Sequence, residues 1–436
     1  MFLSYIKILK KRNFSLLWIG QVISQFGDRL TQMALIGLVY RLEPGSSMSL
    51  AKILSLAVIP VFIISPVSGA YVDRWSKRKT MCISDFMRGT FILLVSLTFL
   101  KFHSMLPVYI FVFLSFCAGR FFIPAKMAMI PSLVDKDELF LANSLVSVTS
   151  MIAAVLGFGL GGVIVEKWGV ESGFIIDAST FFLSSLLILF MRANDGSAFI
   201  PKDILELGRE AIKNVKNSLI FEIKDGLKYL FKSSETIYSV KIRVVLFAAL
   251  GSLYTVFIVF MQKCLNTGTA GLGWLAVAAG LGMFLGTVIY GKVGKYLPVK
   301  PAINTSLALC GMHMLAFGFL LKSHPNKILA FAYCLILGIL ASPIEIALNT
   351  LIHKESENAF LGRIFSSLEV ILHLAFLVFM FLASFLAELM TPFTIIASVS
   401  VMIIVFAVVE MIAGERTGKS DTEKREGAAA SVSSGL

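Results

Sequence analysis

Charge is scarce in this chain. Asp, Glu, Lys and Arg make up 15% of its 436 residues, where a soluble domain carries about a quarter. A mean hydropathy of +0.84 therefore excludes an ordinary water-soluble protein and puts the chain in a lipid bilayer. Acid is scarcer than base, with 27 Asp and Glu against 39 Lys and Arg and a net charge of +12. Such an excess marks a nucleic-acid surface only when the bases gather on one soluble face. Here they follow membrane topology, so no nucleic-acid partner is expected. Cysteine is sparse: Cys82, Cys117, Cys264, Cys310 and Cys334 are odd in number, scattered, and without metal-type pair spacing. That excludes a disulfide framework and a zinc site, and neither metal nor cofactor is expected. No nucleophile-and-base arrangement is recognisable, so catalysis is not expected either. GERTGKS at 414–420 resembles a phosphate loop. It has three residues between its glycines instead of four, follows no strand and lies in a polar tail. Any pumping should then draw on an ion gradient or a partner protein. The start, MFLSYIKILKKRNF, is basic and then apolar but lacks a small-residue cleavage site, so its first span is expected to stay as an anchor.

What the chain has in abundance is long apolar runs, with 57% of its residues hydrophobic. A bilayer core of roughly 30 Å takes about 20 residues as a helix. Twelve runs of that order lie at 16–40, 50–72, 80–101, 106–127, 139–165, 172–192, 240–262, 269–291, 301–321, 327–350, 361–386 and 391–412. With the N-terminus placed inside and bases at span ends counted with the adjoining segment, inside segments hold 29 of the 39 basic residues, Lys126 and Arg243 among them, outside loops hold 7, and Arg29, Arg88 and Arg120 lie deeper within spans. Cytoplasmic loops carry such an excess. The expected fold is an all-α membrane protein of twelve transmembrane helices, both termini cytoplasmic.

The expected organisation is a six-helix bundle over 1–192, a central cytoplasmic loop over 193–239, a second six-helix bundle over 240–412 and a disordered tail over 413–436. Within the loop, Leu205, Ile212, Val215, Leu219, Ile223, Leu227 and Leu230 recur at helical spacing, which predicts an amphipathic helix along the cytoplasmic interface. A shift of 219 residues lays 124–148 on 343–367, matching Pro124, Ala128, Glu138 and Ser147 to Pro343, Ala347, Glu357 and Ser366. Two parallel repeats flanking a cavity are a standard transporter layout.

Ionisable groups inside spans are expensive and mark function by default. In the first span Gln21, Gln25, Asp28 and Gln32 follow 4, 3, 4 spacing, which keeps them within about 60° of one helix face. Such a polar stripe suits the wall of a water-filled cavity. Asp28 is the first candidate for proton or substrate coupling, a structural interhelical pair being the alternative. Arg29 lies about 100° away from it on the helix, and its partner is not readable. Glu369 and His373, four apart in the eleventh span, could share a proton, although a packing histidine is the plainer reading. Glu345 and Asn349 repeat that spacing in the tenth. Arg120 and Asp177 are candidate buried partners of unassigned pairing.

GAYVDRWSKRKTM at 69–81 resembles the signature loop of the major facilitator superfamily, with Gly69, Asp73, Arg74, Lys77 and Arg78 in the matching places. There Gly69 would admit a neighbouring helix, and Asp73 would cap a helix or pair with Arg as a cytoplasmic latch. Asp85 and Arg88, near the start of the third span, are expected to support that latch. The corresponding GTVIYGKVGKYLPVK from Gly286 lacks the acid. Nearly the whole length is similar to the drug, macrolide and siderophore exporters of that superfamily. The matching pieces are NFSLLWIGQVISQFGDRLTQMAL, FFIPAKMAMIPSLVDKDELFLANSL, GFIIDASTFFLSSLL and LGRIFSS. VLGFGLGGVIVE resembles their Gly-Pro-x-x-Gly-Gly element, keeping Gly157, Gly161 and Gly162, with Phe158 where that element has proline. Small residues at this spacing also serve tight helix packing. The resemblance implies alternating access and proton-driven export of small amphipathic molecules from the cytoplasmic (inner) membrane, by a chain expected to act as a monomer. PAK in the fourth span and GD in the first are also similar to lysophospholipid transporters. A non-transporting membrane receptor or scaffold is the rival from another class.

Overall fold

A bilayer offers no water to unpaired backbone groups, so a spanning chain closes its hydrogen bonds within helices or closed barrels. The computed structural model describes residues 2–102, 104–192, 234–355 and 361–433, and among them there is no strand. Fourteen α-helices follow one another: α1 (Phe2–Leu9), α2 (Arg12–Leu42), α3 (Ser47–Ile63), α4 (Ser65–Arg74), α5 (Lys77–Phe102), α6 (Met105–Met129), α7 (Leu139–Trp168), α8 (Val170–Leu189), α9 (Ser234–Leu265), α10 (Thr269–Val293), α11 (Val299–Ser323), α12 (Lys327–Glu355), α13 (Leu361–Leu389) and α14 (Pro392–Ser433). Ser46 starts α3 by accepting the Ser49 amide at 3.1 Å, the usual service of a serine N-cap. Gly169 alone turns α7 into α8 at φ +88°, a backbone region that a side chain would strain.

Ten helices among the described residues are long and apolar enough to cross a membrane. The two expected spans not among them are the first and second. In α2 the run of 31 residues is long enough, but Gln21, Gln25, Asp28, Arg29 and Gln32 dilute its apolarity. The expected span 50–72 divides at Ile64 into the 17-residue α3 and the 10-residue α4. Pro60 inside α3 and a proline opening α4 each remove a backbone donor near that break. The last helix, α14, runs on past 413 to Ser433, through a stretch in which Glu, Lys, Arg and Ala are good helix formers. The amphipathic helix expected between 205 and 230 lies outside the described residues.

The helices pack in the same pattern twice. In the first half α2 lies against α7 and α8, and α5 against α6 and α8; in the second, α9 lies against α13 and α14, and α11 against α12 and α14. Pro124 in α6 and Pro343 in α12, paired by the sequence repeat, both sit inside a helix. The halves meet along α7 with α10 and α3 with α13. One buried apolar cluster joins them, from Phe174 and Phe181 to Phe260 and Phe317.

The amino-terminal α1 is tied down by charge. Lys11 Nζ donates to Asp135 at 2.7 Å and meets Glu138 at 2.5 Å, while Lys7 reaches Glu138 at 3.0 Å. Asp135 and Glu138 form a capping box with each other at the entry to α7. The hydrogen bonds to Asp135 and then Glu138 raise Lys11 above the usual lysine range. A raised lysine stabilises the fold fully below the ordinary lysine pKa, and that contribution is lost as pH climbs through the raised value. Lys11→Gln should therefore melt measurably earlier than wild type at pH 7. The gap should narrow in high salt, which screens exposed pairs, and close at strongly alkaline pH; an unchanged melting curve at pH 7 would show that the clasp contributes nothing.

Candidate transport site

The polar stripe on α2 is gathered around a cavity. Gln21, Gln25, Asp28 and Gln32 all line one cavity of about 400 Å³, together with Arg29, Ala57 of α3, Arg88 of α5 and Arg120 and Lys126 of α6. Helical periodicity puts the four α2 side chains on one face, and the packing of α3, α5 and α6 leaves that face open. Beyond this lining, Arg120 lies within electrostatic reach of Glu369 on α13 and Arg29 of Tyr254 on α9.

At its centre Arg88 Nη2 donates to Asp28 Oδ1 at 2.5 Å. The other arm of the guanidinium lies 3.6 Å from Asp85, and Asp85 accepts from the Ser184 hydroxyl at 2.6 Å. Asp85 and Arg88, expected to support the cytoplasmic loop, are here drawn toward Asp28: Arg88 turns inward, with its guanidinium 4.0 Å from the Phe181 ring centroid. Exposure falls along the chain, from 29% for the Asp28 side chain to 10% for Arg88 and 0% for Asp85. Asp28 is the member that solvent or a solute reaches. A charge this far from water persists only when paired and hydrogen-bonded, and this chain of contacts supplies the pairing.

Arg120 and Asp177 are not brought together. Arg120 donates to the Ala57 carbonyl at 3.1 Å, whereas buried Asp177 accepts from Thr31 at 2.5 Å and Thr180 at 3.1 Å. Gly27 makes that second cluster possible, because a Cβ there would run into Thr180 and Asp177. Arg29, without a readable partner in the sequence, donates to Gln32 at 3.1 Å and lies 5.2 Å from the ring of Phe158. Lys126, counted in sequence as a loop residue, donates to Gln21 at 2.9 Å.

The glycine element of α7 packs on two neighbours. A Cβ at Gly157 would press on the Arg29 stem, one at Gly161 would touch Leu30, and one at Gly162 would run into the backbone carbonyl of Thr269 on α10. Thr269 Oγ1 in turn donates to the Gly162 carbonyl at 2.9 Å, and Glu166 accepts the Ala270 amide at 2.8 Å. In the 69–81 loop Arg78 donates to the Met191 carbonyl and Arg74 is exposed. Lys77 opens α5. No described atom lies within 4 Å of a Cβ built on Gly69. The Asp73 side chain lies outside the described residues.

A family model described as "Transmembrane secretion effector" matches residues 4–352. The chain belongs to that family. It is a multi-pass membrane transporter of the major facilitator type, and the family points to transport rather than catalysis. The uncharacterized MFS-type transporter YfiS of Bacillus subtilis is 23% identical over 273 residues, which span 63% of this chain and 62% of that one. Macrolide efflux protein A of Streptococcus pyogenes is 23% identical over 385 residues, 87% of this chain and 90% of that protein. Among solved structures, a POT family transporter in complex with a thioalcohol-conjugated peptide superposes with a TM-score of 0.70 at 14% identity, over 93% of this chain and 96% of that one. That likeness supports the fold. The relatives support the efflux branch and give no support to lysophospholipid transport.

The transporter carries a second charged cluster in its other half. Arg243 of α9, its side chain 6% exposed, meets Glu345 at 3.0 Å and Asn349 at 2.8 Å, and Asn349 also donates to Glu345 at 3.2 Å. The Glu345–Asn349 spacing was visible in sequence; Arg243 was hidden among the flanking charges of the central loop. For His373 the contacts agree with the packing reading given to it in sequence. The His373 ring nitrogen sits 2.8 Å from the backbone carbonyl of Glu369, and the ring packs near Phe247 with centroids 6.3 Å apart. His373→Gln should leave the pH profile of transport in place, with rates within about twofold of wild type, as for a group outside the proton-transfer step. A profile shifted by about one pH unit would restore the shared-proton reading. Among the described residues no group of three or more His, Cys, Asp or Glu could hold a metal ion.

Proposed function

We propose that this transporter exports small amphipathic molecules from the cytoplasmic membrane by alternating access, in exchange for protons. Its twelve spans form two six-helix bundles over 1–192 and 240–412, with both termini inside. The observation that carries the reading is the Asp28–Arg88 pair at 2.5 Å in the wall of a cavity of about 400 Å³, a size suited to a small molecule. Asp28 holds a proton or Arg88, but not both at full strength. Protonation of Asp28 weakens its hold on the guanidinium, which keeps Asp85 as its second carboxylate and swings toward it. Loss of the proton restores the Asp28–Arg88 contact. The exchange joins a helix of one face of the cavity, α2, to one of the other, α5, so proton occupancy changes how these helices pack. The seam of α7 on α10 offers the surface about which the halves rock.

Everted membrane vesicles containing the protein test this directly. Energised vesicles should accumulate at least one fluorescent solute from a panel of acidic, neutral and cationic amphiphiles, and a protonophore should release it. Solute binding without movement in either direction would favour the receptor or scaffold reading.

A further inference from the structure

The lining of the cavity is unbalanced in charge. It includes Arg29, Arg88, Arg120 and Lys126 but a single carboxylate, Asp28, and that carboxylate is taken by Arg88. Even with the buried Asp85 and Asp177 behind it counted as charged, the cluster keeps a formal excess of one positive charge. Among the described residues Arg29, Arg120 and Lys126 form no ion pair. Lys126 is held by the neutral oxygen of Gln21 at 2.9 Å, and Arg120 by the Ala57 carbonyl at 3.1 Å. An ammonium offers three donors and a guanidinium five, so both keep donors to spare. Both are half-buried on α6, about 1.7 turns apart, and both border the same cavity. Glu369 reaches Arg120 from α13 only over a distance.

We infer that Lys126 and Arg120 bind the oxyanion head group, a carboxylate or its chemical equivalent, of the transported amphiphile, while Phe116, Phe122 and Ile123 receive its apolar body. This deepens the transport reading by naming its substrate class, and it rests on that reading. The three apolar side chains lie on the same helix as the two cations and line the same cavity. A cationic solute fits this site poorly. To neutralise it Asp28 would have to leave Arg88, exposing a nearly buried guanidinium to a like charge. An anion meets donors that are already desolvated and short of acceptors, where charge-assisted hydrogen bonds are strongest.

The test uses the purified full chain in neutral detergent and two fluorescent probes, 11-(dansylamino)undecanoic acid and its methyl ester. The acid should bind about tenfold more tightly than the ester. Lys126→Gln and Arg120→Gln should each weaken the acid about tenfold and leave the ester within about twofold. Lys126→Arg, which keeps the charge, should retain acid binding and guards against a folding artefact. Equal affinity for acid and ester, binding of neither, or neutral variants that bind the acid like wild type would each overturn the inference. Movement is scored separately in proteoliposomes. Acid that binds selectively but never crosses defeats the transport reading and leaves this site standing, whereas an ester that crosses without acid preference does the reverse.

Discussion

Asp28→Asn is expected to cut proton-driven transport by about a hundredfold or more, within the range that positioned proton carriers contribute elsewhere, while leaving the fold nearly intact. Asparagine keeps the shape and a hydrogen bond to Arg88 but cannot cycle between charged and neutral forms. The stability cost should stay below the ~3–5 kcal/mol of a fully buried broken pair. Asp28 is 29% exposed, and Asp85 remains 3.6 Å from the same guanidinium. Asp28→Glu should recover part of the coupled rate, since it restores the titrating group. The measurement is solute flux at matched protein content, with the melting midpoint taken in parallel. A variant that melts like wild type and transports like wild type removes Asp28 from the mechanism.

The second large effect is expected at the seam between the halves. In Gly162→Val the new Cβ meets backbone, the Thr269 carbonyl, so no side chain can swing aside to make room. The α7–α10 contact must open, and with it the bond from Thr269 to the Gly162 carbonyl at 2.9 Å and the bond from Ala270 to Glu166 at 2.8 Å. Overpacking of about 1–3 kcal/mol and the loss of one or two hydrogen bonds at about 1 kcal/mol each predict a destabilisation of about 2–5 kcal/mol. Gly161→Ala is the control. There a Cβ would rest 3.4 Å from Leu30, close to ordinary contact, and the melting midpoint should barely move. Equal midpoints for the two variants would show that this seam is not closely packed in the membrane.

Much of this architecture was legible because two periodicities are strong. Apolar run length located the helices, and 4, 3, 4 spacing put Gln21, Gln25, Asp28 and Gln32 on one face of α2, where they line a common cavity. What spacing cannot supply is direction across space. Arg88 was read by its nearness to a cytoplasmic loop, yet it lies eleven residues into α5, deep enough to point at Asp28. Lys126 was read as a loop charge because the apolar run ends near it, but α6 continues to Met129 and carries the lysine back against Gln21. Arg243 was lost for the same reason at the start of α9. Asp177 went to Thr31 and Thr180, neutral partners that no charge-matching argument selects. The break at Ile64 follows from prolines on both sides, and hydropathy averages over them.

The central claim is that a solute crosses through the cavity around Asp28 in exchange for protons. It is tested most directly by recording solute and proton movement together in proteoliposomes containing wild-type protein or Asp28→Asn, with an outward solute gradient and no imposed pH gradient. The account predicts that solute leaving wild-type liposomes drives protons inward in fixed proportion, and that both fluxes vanish together in Asp28→Asn. Solute leaving the wild-type protein with no accompanying proton movement, or proton coupling that survives Asp28→Asn undiminished, would contradict it.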